Sequence, residues 1–378
     1  MIKITIYSVV FSFLFFISCE NYVFEPGDKC TSTIECEHLC IEGLCVNPVG
    51  NEPINISQNS ILKGKKFVSV ESGPSFSCAS NNDGETYCWG VNISGRLGNG
   101  TDDPGKRPFK PVKVDFNDEI KGEKITSLGV GSYHACGLSE KGNAYCWGNN
   151  ESGELGDPLL FYSFVPIPVY DEGVLNEKEL KLLTAGYSHT CAVDKGSNMY
   201  CWGDNYNGQL GDGSEFGRTM PVEVDTTGVL SGKEIVSISA GSKHTCSIDT
   251  DGKAYCWGIN LGILGDGSND SGSTIPVAVD DTGVLKGKKL IYINSGYEHT
   301  CAIDNDGQSY CWGYRNNKGQ LGDGSEKRSL SPVRVKMDGA LKGRKLVSIS
   351  AGRDFTCTVD TKGEVFCWGY DFDLKSWE

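Results

Sequence analysis

Two cysteines that lie ten positions apart recur six times along this chain, and this repeat constrains the fold more than any other feature. Each second cysteine is followed by Trp-Gly, and the residues between the cysteines alternate apolar and polar around a turn such as Thr250-Asp251-Gly252. This composition predicts two short antiparallel strands joined by a tight turn, so each repeat contains a β-hairpin. The cysteines are Cys78, Cys88, Cys136, Cys146, Cys191, Cys201, Cys246, Cys256, Cys301, Cys311, Cys357 and Cys367.

The hairpin geometry allows a disulfide within each repeat. If the hairpin folds symmetrically about its turn, Cys191 faces Cys201 and Val193 faces Met199. Opposed residues in a non-hydrogen-bonded antiparallel pair have Cα atoms about 4.5 Å apart, at the lower edge of the range that a disulfide needs. The alternative is that these cysteines are small buried apolar residues. The remaining cysteines and the amino terminus favour the disulfides.

The amino terminus predicts export. Residues 1–18 have the pattern of a signal peptide, because Lys3 precedes an apolar run, Ile4 to Ile17, that is too short to span a bilayer comfortably. The run ends in Phe16-Ile17-Ser18-Cys19, which resembles a bacterial lipobox and implies acylation of Cys19. Plain cleavage and an uncleaved anchor are the alternatives. Each of them places the chain outside the cytosol, where disulfides persist, and we expect a lipid-anchored protein of the bacterial cell envelope.

A small disulfide-rich module is predicted at residues 30–45, after a lipidated cysteine and tether at residues 19–29. With Cys19 set aside, the remaining sixteen of the 17 cysteines form an even set, as a disulfide framework requires. Two disulfides among Cys30, Cys36, Cys40 and Cys45 allow three connectivities. A zinc site that also uses His38 is the alternative, but Cys-x2-Cys spacing is absent and export opposes it.

Residues 53–378 are predicted to be an all-β propeller of six repeats. A proline begins a Pro-Val-x-Val type of strand in each repeat, and successive prolines are separated by 58, 55, 55, 55 and 56 residues, as are the first cysteines of the hairpins. An alternating segment such as Ile235 to Ser239 adds one more strand, so each unit of about 55 residues offers four strands and no helical pattern. Such repeats predict four-stranded blades arranged in a β-propeller. The prolines are Pro53, Pro111, Pro166, Pro221, Pro276 and Pro332.

The repeat resembles that of the regulator of chromosome condensation family. The resemblance is carried by Gly-x2-His-Thr-Cys-Ala, Tyr-Cys-Trp-Gly-x-Asn, Gly-Gln-Leu-Gly-Asp-Gly and Pro-Val-x-Val, and it covers Pro53 to about Tyr370. It implies a propeller, usually of seven blades. Here six copies are present, so either the strand that begins at Pro53 completes the last blade and closes the ring, or the ring is open.

The resemblance also implies a range of functions. The family includes eukaryotic nucleotide-exchange factors for a small GTPase, a plant light sensor built on tryptophans, and secreted bacterial propellers that bind and inhibit β-lactamases. Nucleotide exchange on a small GTPase and inhibition of an enzyme of the β-lactamase type are therefore the alternatives to binding a protein or glycan partner. One scaffold serves unrelated tasks, so function has to be argued from the site.

The charge and the motifs argue against nucleic acid and against catalysis. The formal charge is −14 with no basic run, whereas nucleic acid calls for clustered Lys and Arg. No phosphate-binding loop, Gly-x-Ser-x-Gly elbow or His-Glu-x2-His motif is present, so we expect no enzyme active site and no cofactor. Asp249-x-Asp251-Gly252 resembles the start of a calcium loop, but its position on a hairpin turn favours turn chemistry.

The repeated histidines and tryptophans are interpreted as packing residues. A residue that recurs in every blade is explained first by structure, and Phe occupies the histidine position in the first and last copies. A ring of metal ligands is the alternative. The histidines are His134, His189, His244 and His299, with Phe76 and Phe355 in their place, and the tryptophans are Trp89, Trp147, Trp202, Trp257, Trp312 and Trp368.

Function is expected where the copies differ. In the second repeat the loop that elsewhere reads Gly-Asp-Gly-Ser is replaced by Gly156 to Phe164, which contains five large apolar or aromatic side chains. An exposed loop of this kind predicts a contact surface for a protein or glycan partner, although the loop could instead fold over a blade edge. The five residues are Leu159, Leu160, Phe161, Tyr162 and Phe164.

Overall fold

The computed structural model describes residues 40–41, 44–45, 61–103, 111–116, 120 and 122–369. The predicted signal peptide, the predicted lipidation site Cys19, the cysteines Cys30 and Cys36, and the strand predicted at residues 53–56 lie outside this part of the chain. In the amino-terminal module the structure describes strands β1 (Cys40–Ile41) and β2 (Leu44–Cys45), which pair antiparallel with Cys40 opposite Cys45. None of the described residues forms a helix long and apolar enough to cross a bilayer.

Six antiparallel sheets form the blades of a propeller, which confirms the predicted fold. Within each sheet the strands follow in chain order from the inner edge outward, and the described part of the sixth sheet holds three strands. The blades are blade 1, β3 (Phe67–Ser72), β4 (Phe76–Asn81), β5 (Thr86–Gly90) and β6 (Val112–Lys113); blade 2, β7 (Ile125–Val130), β8 (His134–Ser139), β9 (Ala144–Asn149) and β10 (Tyr162–Pro168); blade 3, β11 (Leu180–Ala185), β12 (His189–Asp194), β13 (Met199–Gly203) and β14 (Arg218–Glu223); blade 4, β15 (Ile235–Ala240), β16 (His244–Asp249), β17 (Ala254–Ile259) and β18 (Gly272–Ala278); blade 5, β19 (Leu290–Ser295), β20 (His299–Asp304), β21 (Ser309–Gly313) and β22 (Ser329–Arg334); and blade 6, β23 (Leu346–Ala351), β24 (Phe355–Asp360) and β25 (Val365–Gly369).

The hairpins have the predicted register, and a disulfide joins the two strands of each. Cys191 lies opposite Cys201 and Val193 lies opposite Met199. In all six hairpins the two cysteines are bonded across the ladder, with Cα atoms 4.0 to 4.1 Å apart. The outermost strand pairs with the second strand of the hairpin, so that Val222 lies opposite Cys201. The Pro-Val-x-Val strand therefore completes the blade whose hairpin precedes it in the chain.

The hydrophobic core is divided among the junctions between neighbouring blades. The cluster between blades 2 and 3, for example, packs Cys136 and Leu138 of one blade against Tyr200 and Trp202 of the next. Trp147, Trp202, Trp257 and Trp312 are fully buried in these clusters, whereas Trp89 and Trp368 of the first and last blades are half-buried. Because each sheet buries its faces against its neighbours, the blades are stable only when stacked side by side.

The repeated histidines are buried packing residues that form hydrogen bonds across the junctions between blades. His189 Nε2 of blade 3 lies 2.9 Å from the Thr245 hydroxyl of blade 4, and that hydroxyl donates to the Gln209 carbonyl at 2.8 Å. Trp257 Nε1 donates to the same carbonyl at 2.9 Å. The corresponding histidine pairs are His134 with Thr190, His244 with Thr300, and His299 with Thr356. At the junction of blades 1 and 2, Phe76 and Ala135 take these two places in the core.

Candidate interaction surface

The ends of the blades differ because the strands alternate in direction. The turns between the first and second strands, which we call inner turns, lie at the same end as the loops between the third and fourth strands, which we call outer loops. Arg96 in the outer loop of blade 1 demonstrates this, since it donates to the Ser75 hydroxyl at 2.9 Å and the Ser132 carbonyl at 3.3 Å, both in inner turns. We call this end the loop face and the other end, which carries the hairpin turns, the hairpin face.

The outer loop of blade 2 is held rigidly by two polar residues. The buried Asn150 donates to the Asp157 carbonyl at 2.9 Å and the Leu160 carbonyl at 2.6 Å. The Asp157 carboxylate accepts from the backbone N–H of Leu159 at 2.7 Å and of Leu160 at 2.9 Å. These bonds fix the backbone of the loop, and the exposed side chains of Leu159 and Phe161 project from it instead of folding over the blade edge.

The predicted contact residues of this loop are mainly exposed. Leu159 is 84% exposed, Phe161 75%, Tyr162 52% and Leu160 41%. Tyr162 is the first residue of strand β10, so the loop is shorter than the sequence suggested and ends at Phe161. Large apolar side chains at such exposure are common at surfaces that bind a partner.

Phe164 differs from the other four residues because it packs between blades. It lies inside β10, opposite the outer loop of blade 1, where a Cβ added to Gly95 would come within 2.5 Å of its ring. Tyr162 stacks on Phe164 with ring centroids 5.0 Å apart. Thr219, Thr274 and Leu330 make the equivalent contact with Gly153, Gly208 and Gly262. Phe164 therefore occupies a recurring structural position, and its side chain belongs to the junction.

Blade 3 extends the exposed apolar surface of the loop face. Its outer loop is organised around Asn205, which donates to the Ser214 carbonyl at 2.9 Å and the Phe216 carbonyl at 3.1 Å. Phe216 is 74% exposed and Tyr206 81%. Two adjacent blades thus present aromatic side chains to the same side of the ring.

The inner turns surround the mouth of the central channel with tyrosines and arginines. Tyr133 and Tyr187 meet edge to face with centroids 5.0 Å apart and hydroxyl oxygens 2.5 Å apart. This hydrogen bond raises the pKa of Tyr187. Tyr297 lies edge to face against Tyr187 at 6.3 Å. Arg96 stacks over Tyr133 at 5.1 Å and Arg353 over Tyr297 at 5.3 Å.

The hairpin face consists of hairpin turns that are stabilised by their own side-chain hydrogen bonds. The Asp249 carboxylate accepts from the Lys253 backbone N–H at 2.9 Å and from the Tyr255 hydroxyl at 2.8 Å. Burial alone would raise the pKa of Asp249, but the hydrogen bonds outweigh it and the pKa is lowered. The turn residues Thr250 and Asp251 are exposed. Within the described residues no group of three or more His, Cys, Asp or Glu side chains could hold a metal ion. The segment Asp249-x-Asp251-Gly252, which resembles the start of a calcium loop, forms the turn between strands β16 and β17.

Several residues of the loop face were missed by reasoning from the sequence. Tyr133, Tyr187, Tyr297 and Arg353 fall in the two positions between the repeated Gly and the repeated His or Phe, where the copies differ. That variability is the same signal that identified the blade 2 loop, and it was available at these positions too.

Family models of the regulator of chromosome condensation (RCC1) repeat match residues 83–138, 141–193, 197–248 and 306–359, and a second model of this repeat matches four further ranges between residues 125 and 373. The chain belongs to the RCC1 repeat family. Among curated RCC1 relatives, the ultraviolet-B receptor UVR8 of Arabidopsis thaliana is 32% identical over 316 residues, 83% of this chain and 67% of that protein. The E3 ubiquitin-protein ligase HERC2 of Homo sapiens is 30% identical over 298 residues, 78% of this chain but 6% of the ligase.

Solved structures share the RCC1 fold. Human WBSCR16 superposes with a TM-score of 0.70 at 19% identity, covering 81% of this chain and 77% of that chain. Prp20p from Saccharomyces cerevisiae, described with its binding properties to Gsp1p and histones, has a TM-score of 0.66 at 22% identity and covers 88% and 78%. At these identities the similarity establishes the fold alone.

Proposed function

We propose that this protein is a non-catalytic RCC1-type propeller that binds a protein partner through its loop face, outside the cytosol and anchored by a lipid on Cys19. The main support for this proposal is the difference in exposed apolar side chains between the two faces. The loop face presents Leu159, Phe161, Tyr206 and Phe216 at 74% to 84% exposure, whereas apolar side chains near the hairpin face, such as Val236 and Ile291, are 44% and 48% exposed.

The composition of the loop face supports protein recognition. Aromatic residues and arginines are enriched at the centres of protein interfaces, because they bury large areas while losing little side-chain entropy. The exposed leucines Leu159 and Leu160 in the blade 2 loop favour a protein over a glycan. The rigid outer loops also reduce the entropy that binding must overcome.

The export and the anchor are supported by the cysteines. Six disulfides inside the hairpins suit a compartment where thiols are oxidised. The sequence that ends at Ser18-Cys19 supports lipid attachment. A lipid anchor would hold the ring at a membrane surface, and a single chain of acyl type binds only marginally unless a second one is added.

Affinity capture from the native cell envelope tests the proposal. The unmodified protein is compared with a double variant, Leu159→Ser and Phe161→Ser, which removes two exposed side chains and leaves Phe164 in its junction. A matched control, Val236→Ser and Ile291→Ser, removes two apolar side chains that are 44% and 48% exposed near the hairpin face.

We expect one partner to be captured by the unmodified protein and by the control but lost with the loop variant. Exposed substitutions away from packing sites change stability by about 0.5 kcal/mol or less, so loss of capture reports the contact rather than the fold. Identical capture by the loop variant and the unmodified protein would contradict the proposal.

A further inference from the structure

A central channel passes between the inner strands of all six blades and opens at the loop face. Its volume is about 800 Å³, and the three tyrosines Tyr133, Tyr187 and Tyr297 lie at its mouth. Most of the residues that the inner strands contribute to its wall are small and neutral. Glu71 is the charged residue that the described inner strands place in this wall.

Glu71 departs from the structural role of its position in the repeat. The equivalent side chains in blades 3, 4 and 5 each accept a hydrogen bond from a backbone N–H of the next blade, at 3.1, 2.9 and 2.7 Å. Among the described residues Glu71 makes no such bond to blade 2. Glu71 therefore does not contribute the hydrogen bond that joins neighbouring blades at this position of the repeat. The equivalent residues are Gly129, Thr184, Ser239, Asn294 and Ser350.

The surroundings of Glu71 favour the arrival of a cation. Glu71 is partly buried in the wall formed by the inner strands, and this desolvation raises the pKa of its carboxyl group to about 8. The Tyr292 hydroxyl lies near enough to interact with it, and its own pKa is raised by burial first and by Glu71 second. Among the described residues no Lys or Arg forms an ion pair with Glu71, because Arg96 and Arg353 lie at the mouth against tyrosine rings.

The depth of Glu71 matches the reach of a long side chain. It precedes the inner-turn residue Gly73 by two positions, and at about 3.3 Å per strand residue it lies roughly 7 Å below the rim. An extended lysine side chain spans a similar length. The tyrosine rings at the mouth would attract an ammonium group on its way in. The net charge of −14 also complements a cationic partner.

We propose that a lysine side chain of the protein partner enters the channel from the loop face and binds the Glu71 carboxylate through its ammonium group. This inference rests on the proposed function and names the chemistry of its partner. At pH 7 most Glu71 side chains are protonated, and only the ionised fraction can bind the ammonium group. The apparent affinity at pH 7 is therefore about tenfold weaker than that of the ionised carboxylate. Because Glu71 is partly buried in the channel wall, the pair is stronger than an ion pair in bulk water.

The test uses Nα-acetyl-lysine methylamide, which keeps a free ε-amine, as the probe in ligand-observed NMR at pH 9. At this pH the Glu71 carboxyl is ionised and the ε-amine of the probe is still protonated. We expect the intact protein to bind the probe with a Kd of about 1–10 mM. Glu71→Gln, which keeps the shape of the side chain, should weaken binding at least tenfold. Ser350→Ala, a neutral change at the same ring position, should leave binding unchanged, and acetyl-norleucine methylamide should not bind.

Equal affinity for Glu71→Gln and the unmodified protein, or no binding by the unmodified protein, would overturn the inference. A second measurement needs no variant. Between pH 7 and pH 9 the affinity for the unmodified protein should rise about tenfold, because the Glu71 carboxyl ionises in this range, whereas burial raises the pKa of Tyr292 and the hydrogen bond with Tyr133 raises the pKa of Tyr187. A flat profile would also overturn it.

The outcomes separate this inference from the proposed function. If the probe fails to bind but the double variant Leu159→Ser and Phe161→Ser still loses the partner, recognition through the loop face is supported and the lysine site at Glu71 is rejected. If the loop variant keeps the partner, the proposed function fails whatever the probe does.

Discussion

The hydrogen bond between His189 and Thr245 predicts a strong energetic coupling between neighbouring blades. The Thr245 hydroxyl donates to the Gln209 carbonyl, so it accepts from His189 Nε2–H at 2.9 Å, and both side chains are fully buried. Thr245→Ala leaves the histidine N–H without an acceptor, which costs about 1–3 kcal/mol. Loss of the buried methyl group adds about 1 kcal/mol, so we expect the free energy of unfolding to fall by about 2–4 kcal/mol.

The first junction of the same chain supplies the compensating change. There Phe76 and Ala135 occupy the positions of the histidine and the threonine. His189→Phe alone should destabilise by about 1–3 kcal/mol through overpacking. In the double variant the larger ring fills the space that Thr245→Ala creates and no N–H is orphaned. We therefore expect the double variant to be at least about 1 kcal/mol more stable than the sum of the single changes predicts.

Equilibrium unfolding in guanidinium chloride, with the disulfides intact, measures this coupling. Ser247→Ala is a matched control in the same strand, because the buried Ser247 hydroxyl finds no hydrogen-bond partner among the described residues and its removal should be close to neutral. Additive effects of His189→Phe and Thr245→Ala, within about 0.5 kcal/mol, would refute the role given to this hydrogen bond.

Three further predictions concern acid, thiols and the anchor. Burial lowers the pKa of His134 and His244 to about 3 and that of His189 and His299 to about 4. Their contribution to stability is complete above the unfolded value of about 6.5 and declines as pH falls toward 4, by about 1.4 kcal/mol per histidine at pH 5.5; a melting temperature that is equal at pH 7.5 and 5.5 would contradict this. Maleimide labelling of the denatured, unreduced protein should leave the hairpin cysteines unmodified, and about twelve reactive thiols would rule out the bridges. Palmitate labelling should disappear in Cys19→Ala, and unchanged labelling would reject the lipid anchor.

The fold could be predicted from the sequence because the repeat supplies the same evidence six times. The ten-residue cysteine spacing set the hairpin register, and the opposition of Cys191 to Cys201 followed from symmetry alone. The presence of Phe at the histidine position correctly indicated packing, although the threonine partner on the next blade was not foreseen. That partner is 56 residues away in sequence, and only the stacking of blades brings it near.

The candidate site was predicted less completely. Leu159 and Phe161 could be recognised because they replace polar residues of the repeat. Phe164 was assigned to the same surface, but strand β10 begins earlier than the loop composition suggested and places Phe164 half-buried against Gly95. The cluster of tyrosines at the channel mouth depends on the curvature of the ring, which no single repeat encodes.

Hydrogen exchange of the protein with and without its captured partner tests the central claim, that recognition occurs on the loop face. We expect slower exchange in peptides that contain the blade 2 loop, residues 150–162, and the inner turns around Tyr187 and Tyr297. Exchange at the hairpin turns, such as residues 250–252, should be unchanged. Protection of the hairpin turns with no change in the loops would contradict the account.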